Sequence, residues 1–160
     1  MTQTKKLLLL GVLAATVLLS PRLAAAEDFK APEGKVAIHY TRPDGAYEGW
    51  KLHVWESFQK KEEADDEYAV KEFPDKPLKG VNWFKPFEQS GKDDFGIYFL
   101  LDAADFGNGR VNYIIHKGDK KEQGNQDKFF LIKDGRDVFV VSSDTHIYAS
   151  KEAALKAVKK

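Results

Sequence analysis

The chain has 160 residues, with 25 basic and 25 acidic side chains and no cysteine. The charge balance offers no clustered basic surface for nucleic acid and no pull toward an anionic membrane. The lack of cysteine excludes a disulfide framework, thiol chemistry and a Cys-ligated metal. The fold must therefore rest on its core, and 11 Phe, 6 Tyr and 3 Trp point to aromatic burial as a main contributor.

Residues 1–26 read as a secretory leader. Lys5 and Lys6 form the charged start, Leu7 to Leu19 is an apolar run too short to span a bilayer, and Ala24-Ala25-Ala26 supplies a small-residue cleavage site. Pro21 and Arg22 close the run early, which argues against a membrane anchor. Cleavage before Glu27 takes Lys5, Lys6 and Arg22 and no acidic residue, leaving 22 basic against 25 acidic side chains. The expectation is an exported protein, periplasmic or extracellular, with no membrane association after cleavage.

Residues 27–34 are polar, bear Pro and Gly, and read as a mobile lead into a domain over 35–151. Val36 to Tyr40 is a strand, and Arg42-Pro43-Asp44-Gly45 a turn, because Pro presets one dihedral and Gly tolerates positive φ. Gly49 to Phe58 is a second strand. Within it Trp50, Leu52 and Val54 share one face, and His53 and Trp55 the other, since alternate side chains point to opposite sides. Two flat rings side by side form a platform for a flat, partly apolar object such as a sugar. Trp50, at the parity of Leu52 and Val54, reads as core.

Lys60 to Glu72 is a charge run, read as a solvated loop or short irregular helix. Phe73 to Gln89 reads as a long loop packed down by Trp83, Phe84 and Phe87, with Trp83 either capping the sandwich, the favoured reading, or extending the binding surface. Ser90 to Asp94 is a turn. Phe95 to Leu101 and Arg110 to His116 are strands, separated by a turn-rich connection and followed by a polar loop over 117–126. Phe129 to Ile132 and Val138 to Val141 flank Lys133-Asp134-Gly135-Arg136, which reads as a hairpin tip. Thr145 to Ala149 is a last short strand, and residues 152–160 form a tail or short helix. Short strands with frequent turns indicate an all-β fold, a β-sandwich. The four histidines show no metal-ligand spacing, so neither a metal nor a cofactor is expected.

The run from Val36 to Trp55 closely resembles the start of the bacterial pullulanase-associated domain, carbohydrate-binding module family 41. Gly91-Lys92-Asp93-Asp94-Phe95-Gly96 resembles its central turn, and His116-Lys117-Gly118-Asp119 its His-x-Gly-Asp strand end. Asp127-Lys128-Phe129 and Ile147-Tyr148-Ala149-Ser150 resemble its closing blocks. Five motifs in order span residues 35–151. The resemblance implies an immunoglobulin-like antiparallel β-sandwich that binds α-glucans such as amylose, glycogen and pullulan. Such modules usually sit beside a catalytic domain of an α-glucan-degrading enzyme; this chain reads as a stand-alone module, with a separate enzyme of that kind as a partner. The family platform falls on His53, where Trp is common, and on Trp55. Its basic and acidic partners fall on Lys121 and Glu122.

Stacking of a ring on a sugar's C–H face is worth on the order of one to a few kcal/mol, by analogy with base–aromatic stacking. Lys121 and Glu122 would then serve hydroxyls at the platform edge. The bland readings are a solvated pair at 121 and 122, a turn-shaping Asp119, and structural roles for His39 and His116. A glycoside hydrolase would need two carboxyl groups about 5–10 Å apart across a cleft, and a lone sandwich offers little depth for one, so no enzyme is expected. The competing function is a periplasmic protein-interaction module that kept the fold without the sugar site.

Overall fold

The computed structural model describes residues 29–56, 59–61, 70–72 and 76–159. The expected leader over 1–26 lies outside them. In chain order the strands are β1 (Lys35–Thr41), β2 (Lys51–Glu56), β3 (Gln59–Lys61), β4 (Val70–Glu72), β5 (Lys76–Pro77), β6 (Gly91–Lys92), β7 (Ile97–Asp102), β8 (Arg110–Lys117), β9 (Lys120–Lys121), β10 (Lys128–Leu131) and β11 (Asp137–Val141). A short helix, α1 (Lys151–Val158), follows them. One sheet runs β11-β1-β7-β6 and the other β10-β8-β2-β5, with β9 continuing the β10 edge of β8. Neighbours are antiparallel except β1 and β11, which run parallel. The architecture is an all-β sandwich of immunoglobulin-like type with a helix at its end.

Period-two patterning builds the core. Val36, Ile38 and Tyr40 of β1 and Ile97, Phe99 and Leu101 of β7 face Leu52 and Val54 of β2 and Val111, Tyr113 and Ile115 of β8. Trp50 joins this core, as its parity required. The outer side of the first sheet is covered too. His39 is fully buried there, with its ring nitrogens 2.8 Å from Asp93 Oδ2 and 3.1 Å from Asp137 Oδ1. The Asp93 turn is locked by its own carboxylate, whose Oδ1 accepts from the backbone N–H of Phe95 and Gly96, each at 2.9 Å. A side chain at Gly96 would place its Cβ 2.2 Å from the Tyr40 carbonyl oxygen, so only glycine fits.

Four expectations are corrected. β10 and β11 belong to different sheets, so residues 133–136 are a crossover and not a hairpin tip. Phe130 and Val138 meet the same core from opposite sides, which one hairpin within a sheet could not do. Within the charge run, β3 and β4 pair as a small antiparallel ribbon, since ladder bonds need no apolar face. The Thr145–Ala149 strand reduces to a single bridge between Phe139 and Tyr148. The lead is docked from Phe29 onward: that ring stacks 3.9 Å from Tyr98, and the N–H of Ala31 donates to Asp137 Oδ1 at 2.8 Å.

The polar loop after β8 is pinned by Glu122. This carboxylate is buried, and its Oε1 accepts from Tyr40 Oη (2.8 Å), Arg42 Nη1 (2.7 Å) and Ser142 Oγ (3.1 Å), while Oε2 accepts from the N–H of Ser143 (2.9 Å). Burial pushes the Tyr40 hydroxyl well above its usual range. Arg42 also grips the exposed Asp44 with two nitrogens, at 2.9 and 2.7 Å, and holds that carboxyl down at about 2.

Phe99→Ala is expected to destabilise the domain by about 3–5 kcal/mol in denaturant unfolding, through lost burial and an unfilled cavity. Glu122→Ala should cost about 1–3 kcal/mol in the same measurement, because the buried Tyr40 hydroxyl and the Ser143 N–H lose their acceptor while Arg42 keeps Asp44. Asp44 has a depressed carboxyl, so its pairing stabilises the fold above the ordinary aspartate range and is lost as pH falls through about 2. An NMR carboxyl titration should show Asp44 protonating there and, in Arg42→Ala, rising toward the normal range, with the Ala46 N–H still favouring the carboxylate.

Candidate functional site

The outward faces of β2, β8 and β9 bring the candidate residues together. His53 lies opposite Ile114, Trp55 opposite Asn112 on one side and Pro77 on the other, and Lys121 opposite His116. Directly opposed residues share a face, so His53, Trp55, His116 and Lys121 all point away from the core. The rings of His53 and Trp55 lie 5.2 Å apart, tilted by 32°.

A third large ring completes the cluster. Trp83 comes down onto this face from the segment after β5. It sits edge-on to His53 at 5.6 Å and nearly parallel to His116 at 4.0 Å. Its indole N–H donates to Asp119 Oδ1 at 3.4 Å. The Lys121 ammonium lies 5.5 Å from the Trp83 ring centroid and 3.8 Å from Asp127 Oδ1. His116 is buried beneath the indole and donates from Nδ1 to the Gly118 carbonyl at 2.8 Å, which ties β8 to the turn carrying Asp119.

Three sequence expectations change here. The open shelf led by Trp55 is replaced by a partly roofed cluster, for Trp55 is only 6% exposed. It occupies the sheet's middle, flanked by Asn112 and Pro77, with Asn112 Nδ2 donating to its carbonyl at 3.3 Å. Trp83 does not cap the end of the sandwich but packs on its outer face. Glu122 does not join Lys121 at the platform edge. Adjacent residues of an extended segment point to opposite sides, so Lys121 goes out and Glu122 turns in, to Tyr40 and Arg42.

Sequence reasoning missed His116 as a member of this cluster and preferred a capping role for Trp83 over an extension of the binding surface. The local signal was present for the turn alone. Asn82 Oδ1 accepts from the N–H of Phe84 (2.9 Å) and of Lys85 (2.8 Å), an Asx turn that presents residues 83 and 84 at its tip. Where that tip lands depends on Phe87, which pairs with Leu52 through two backbone bonds at 3.0 and 2.7 Å. Aromatic faces, an ammonium, and the carboxylates of Asp119 and Asp127 together can stack on a sugar's C–H face and exchange hydrogen bonds with its hydroxyls.

Comparison with known proteins bears on the fold and the family. An alpha-amylase of Streptomyces lividans is 31% identical over 88 residues, 55% of this chain and 7% of the amylase. The chain therefore spans a small fraction of that relative. The structure of ligand-free PulA from Klebsiella pneumoniae superposes with a TM-score of 0.61 at 20% identity, covering 88% of this chain and 13% of that one. Family 41 carbohydrate-binding modules from streptococcal virulence factors, studied for alpha-glucan recognition, superpose with a TM-score of 0.52 at 22% identity, covering 77% of this chain and 50% of theirs. The pattern of the bacterial pullanase-associated domain runs across residues 34–149, and the chain belongs to that family.

Proposed function

We propose that this protein is a non-catalytic, exported carbohydrate-binding protein that holds α-glucans such as amylose, glycogen or pullulan on the outer face of β2 and β8. The observation that carries the reading is the gathering of His53, Trp55 and Trp83 on one face with Lys121 at its edge. Membership of the pullanase-associated family, and the alpha-glucan recognition by the streptococcal modules, support the same ligand class. The binding set is Trp55, His53 and Lys121, joined by Trp83. Glu122 acts from behind, holding the loop that carries Lys121.

Retention without turnover fits the buried carboxylates. Glu122 is consumed by Tyr40, Arg42 and Ser142, and Glu56 accepts from the Asn108 N–H at 3.1 Å. Both serve structure and neither faces the ring cluster. The alpha-amylase relative holds the matched segment within a far longer chain, which suits a module that presents substrate to an α-glucan-degrading enzyme. The second reading, a protein-interaction module, draws on one observation, the coverage of the Trp55 indole.

Affinity electrophoresis through amylose, glycogen and pullulan separates the two. The unsubstituted protein should be retarded. Trp83→Ala should weaken retention about tenfold or more, as expected for loss of one stacking ring, and Trp55→Ala should weaken it by removing the covered ring beside His53. Circular dichroism guards against unfolding of Trp55→Ala, and the half-buried Trp83 gives the cleaner arm. Unchanged mobility of the parent protein in every glucan, or full retention of both variants, sinks the sugar reading.

A further inference from the structure

A groove of about 270 Å³ continues the ring cluster past His116, bounded by Trp83, Phe84, Lys51, Gly118 and Asp119. Phe84 forms its outer lip and is 94% exposed. A lone exposed phenylalanine needs no explanation by itself, but this one is held in place. Asn82 and Lys85 exchange two backbone hydrogen bonds at 3.1 Å, and the Asn82 carboxamide oxygen accepts from the N–H of Phe84 and of Lys85. One tip residue, Trp83, folds onto His116, and the other stands beside the groove.

The rim carries one charge of each sign. The Lys51 ammonium brings three donors, of which Glu88 takes one, and Asp119 offers carboxylate oxygens beside the indole N–H. A balanced rim of donors and acceptors around an aromatic lip suits a neutral polyol better than an anion or a basic peptide. The floor is open at Gly118, where an added Cβ would meet nothing within 4 Å.

Resting on the α-glucan reading, we propose that this groove is a further sugar subsite, in which Phe84 stacks on a glucose unit next along the chain from the one held at His53, Trp55 and Trp83. Lys51 and Asp119 bind its hydroxyls. The subsite lengthens the site in the direction of the 82–85 turn and makes affinity depend on chain length.

Isothermal calorimetry with maltotriose and maltohexaose tests this. The parent protein should bind the hexasaccharide more tightly. Phe84→Ala should lower maltohexaose affinity about tenfold, leave maltotriose affinity within about twofold, and leave the melting temperature unchanged, because the ring is in water. Phe84→Tyr should keep the parent's preference for the longer chain. Equal affinities of Phe84→Ala and the parent for both sugars overturn the subsite alone, as does an equal loss on both. Absence of binding by the parent protein to either sugar overturns the α-glucan reading itself.

Discussion

The two-residue alternation along β2 governs the rest of the molecule. Leu52 opposite Ile115 and Val54 opposite Tyr113 seal the sandwich, while His53 and Trp55 between them face outward. A slip of one residue would send the indole of Trp55 into the core and strip the outer face of both rings. The register is held on both sides, by β8 along one edge and by Phe87 and β5 along the other. Core and candidate site are therefore specified by one ladder of backbone bonds.

The outer face is itself a packed layer. Trp83 stacked on His116, with Asp119 on its N–H and Lys121 near its ring, forms a small polar-edged assembly on top of the sheet. Packing of this kind restricts rotamers before any ligand arrives, so less ordering remains to be done on binding. The cost is accessibility, since what is held firmly is also partly covered. Trp83 stands at the boundary, with one face on His116 and its edge toward His53.

Much of this was legible in the residues alone. The strands 36–40, 95–101, 110–116 and 138–141 follow from apolar periodicity, the second starting at Ile97 in the structure, and the inward parity of Trp50, Leu52 and Val54 is a direct count. The family motifs led to the right fold. Two things depended on distant contacts and could not be counted, and a third was overlooked. The crossover at 133–136 looks locally like a hairpin, because Asp-Gly marks a turn but not which sheet receives the next strand. The landing point of Trp83 is set by the Phe87–Leu52 bridge, 35 residues apart in the chain. The inward turn of Glu122 was available from alternation, but motif adjacency placed it beside Lys121; its buried partners are Tyr40 of β1 and Arg42 just after it.

The parallel pairing of β1 with β11 also has a consequence for how the protein comes into being. Ala37 donates to the Arg136 carbonyl at 2.7 Å and Ser142 to that of Thr41 at 2.8 Å, so the first strand is completed by the last. Contacts this remote in sequence form late and slow the search for the native state. A nascent chain emerging from the ribosome must carry β1 half-partnered until nearly the whole domain has been synthesised. Premature termination anywhere before Asp137 leaves an open sheet edge and a bare flank on Val36, Ile38 and Tyr40, the kind of surface that chaperones recognise.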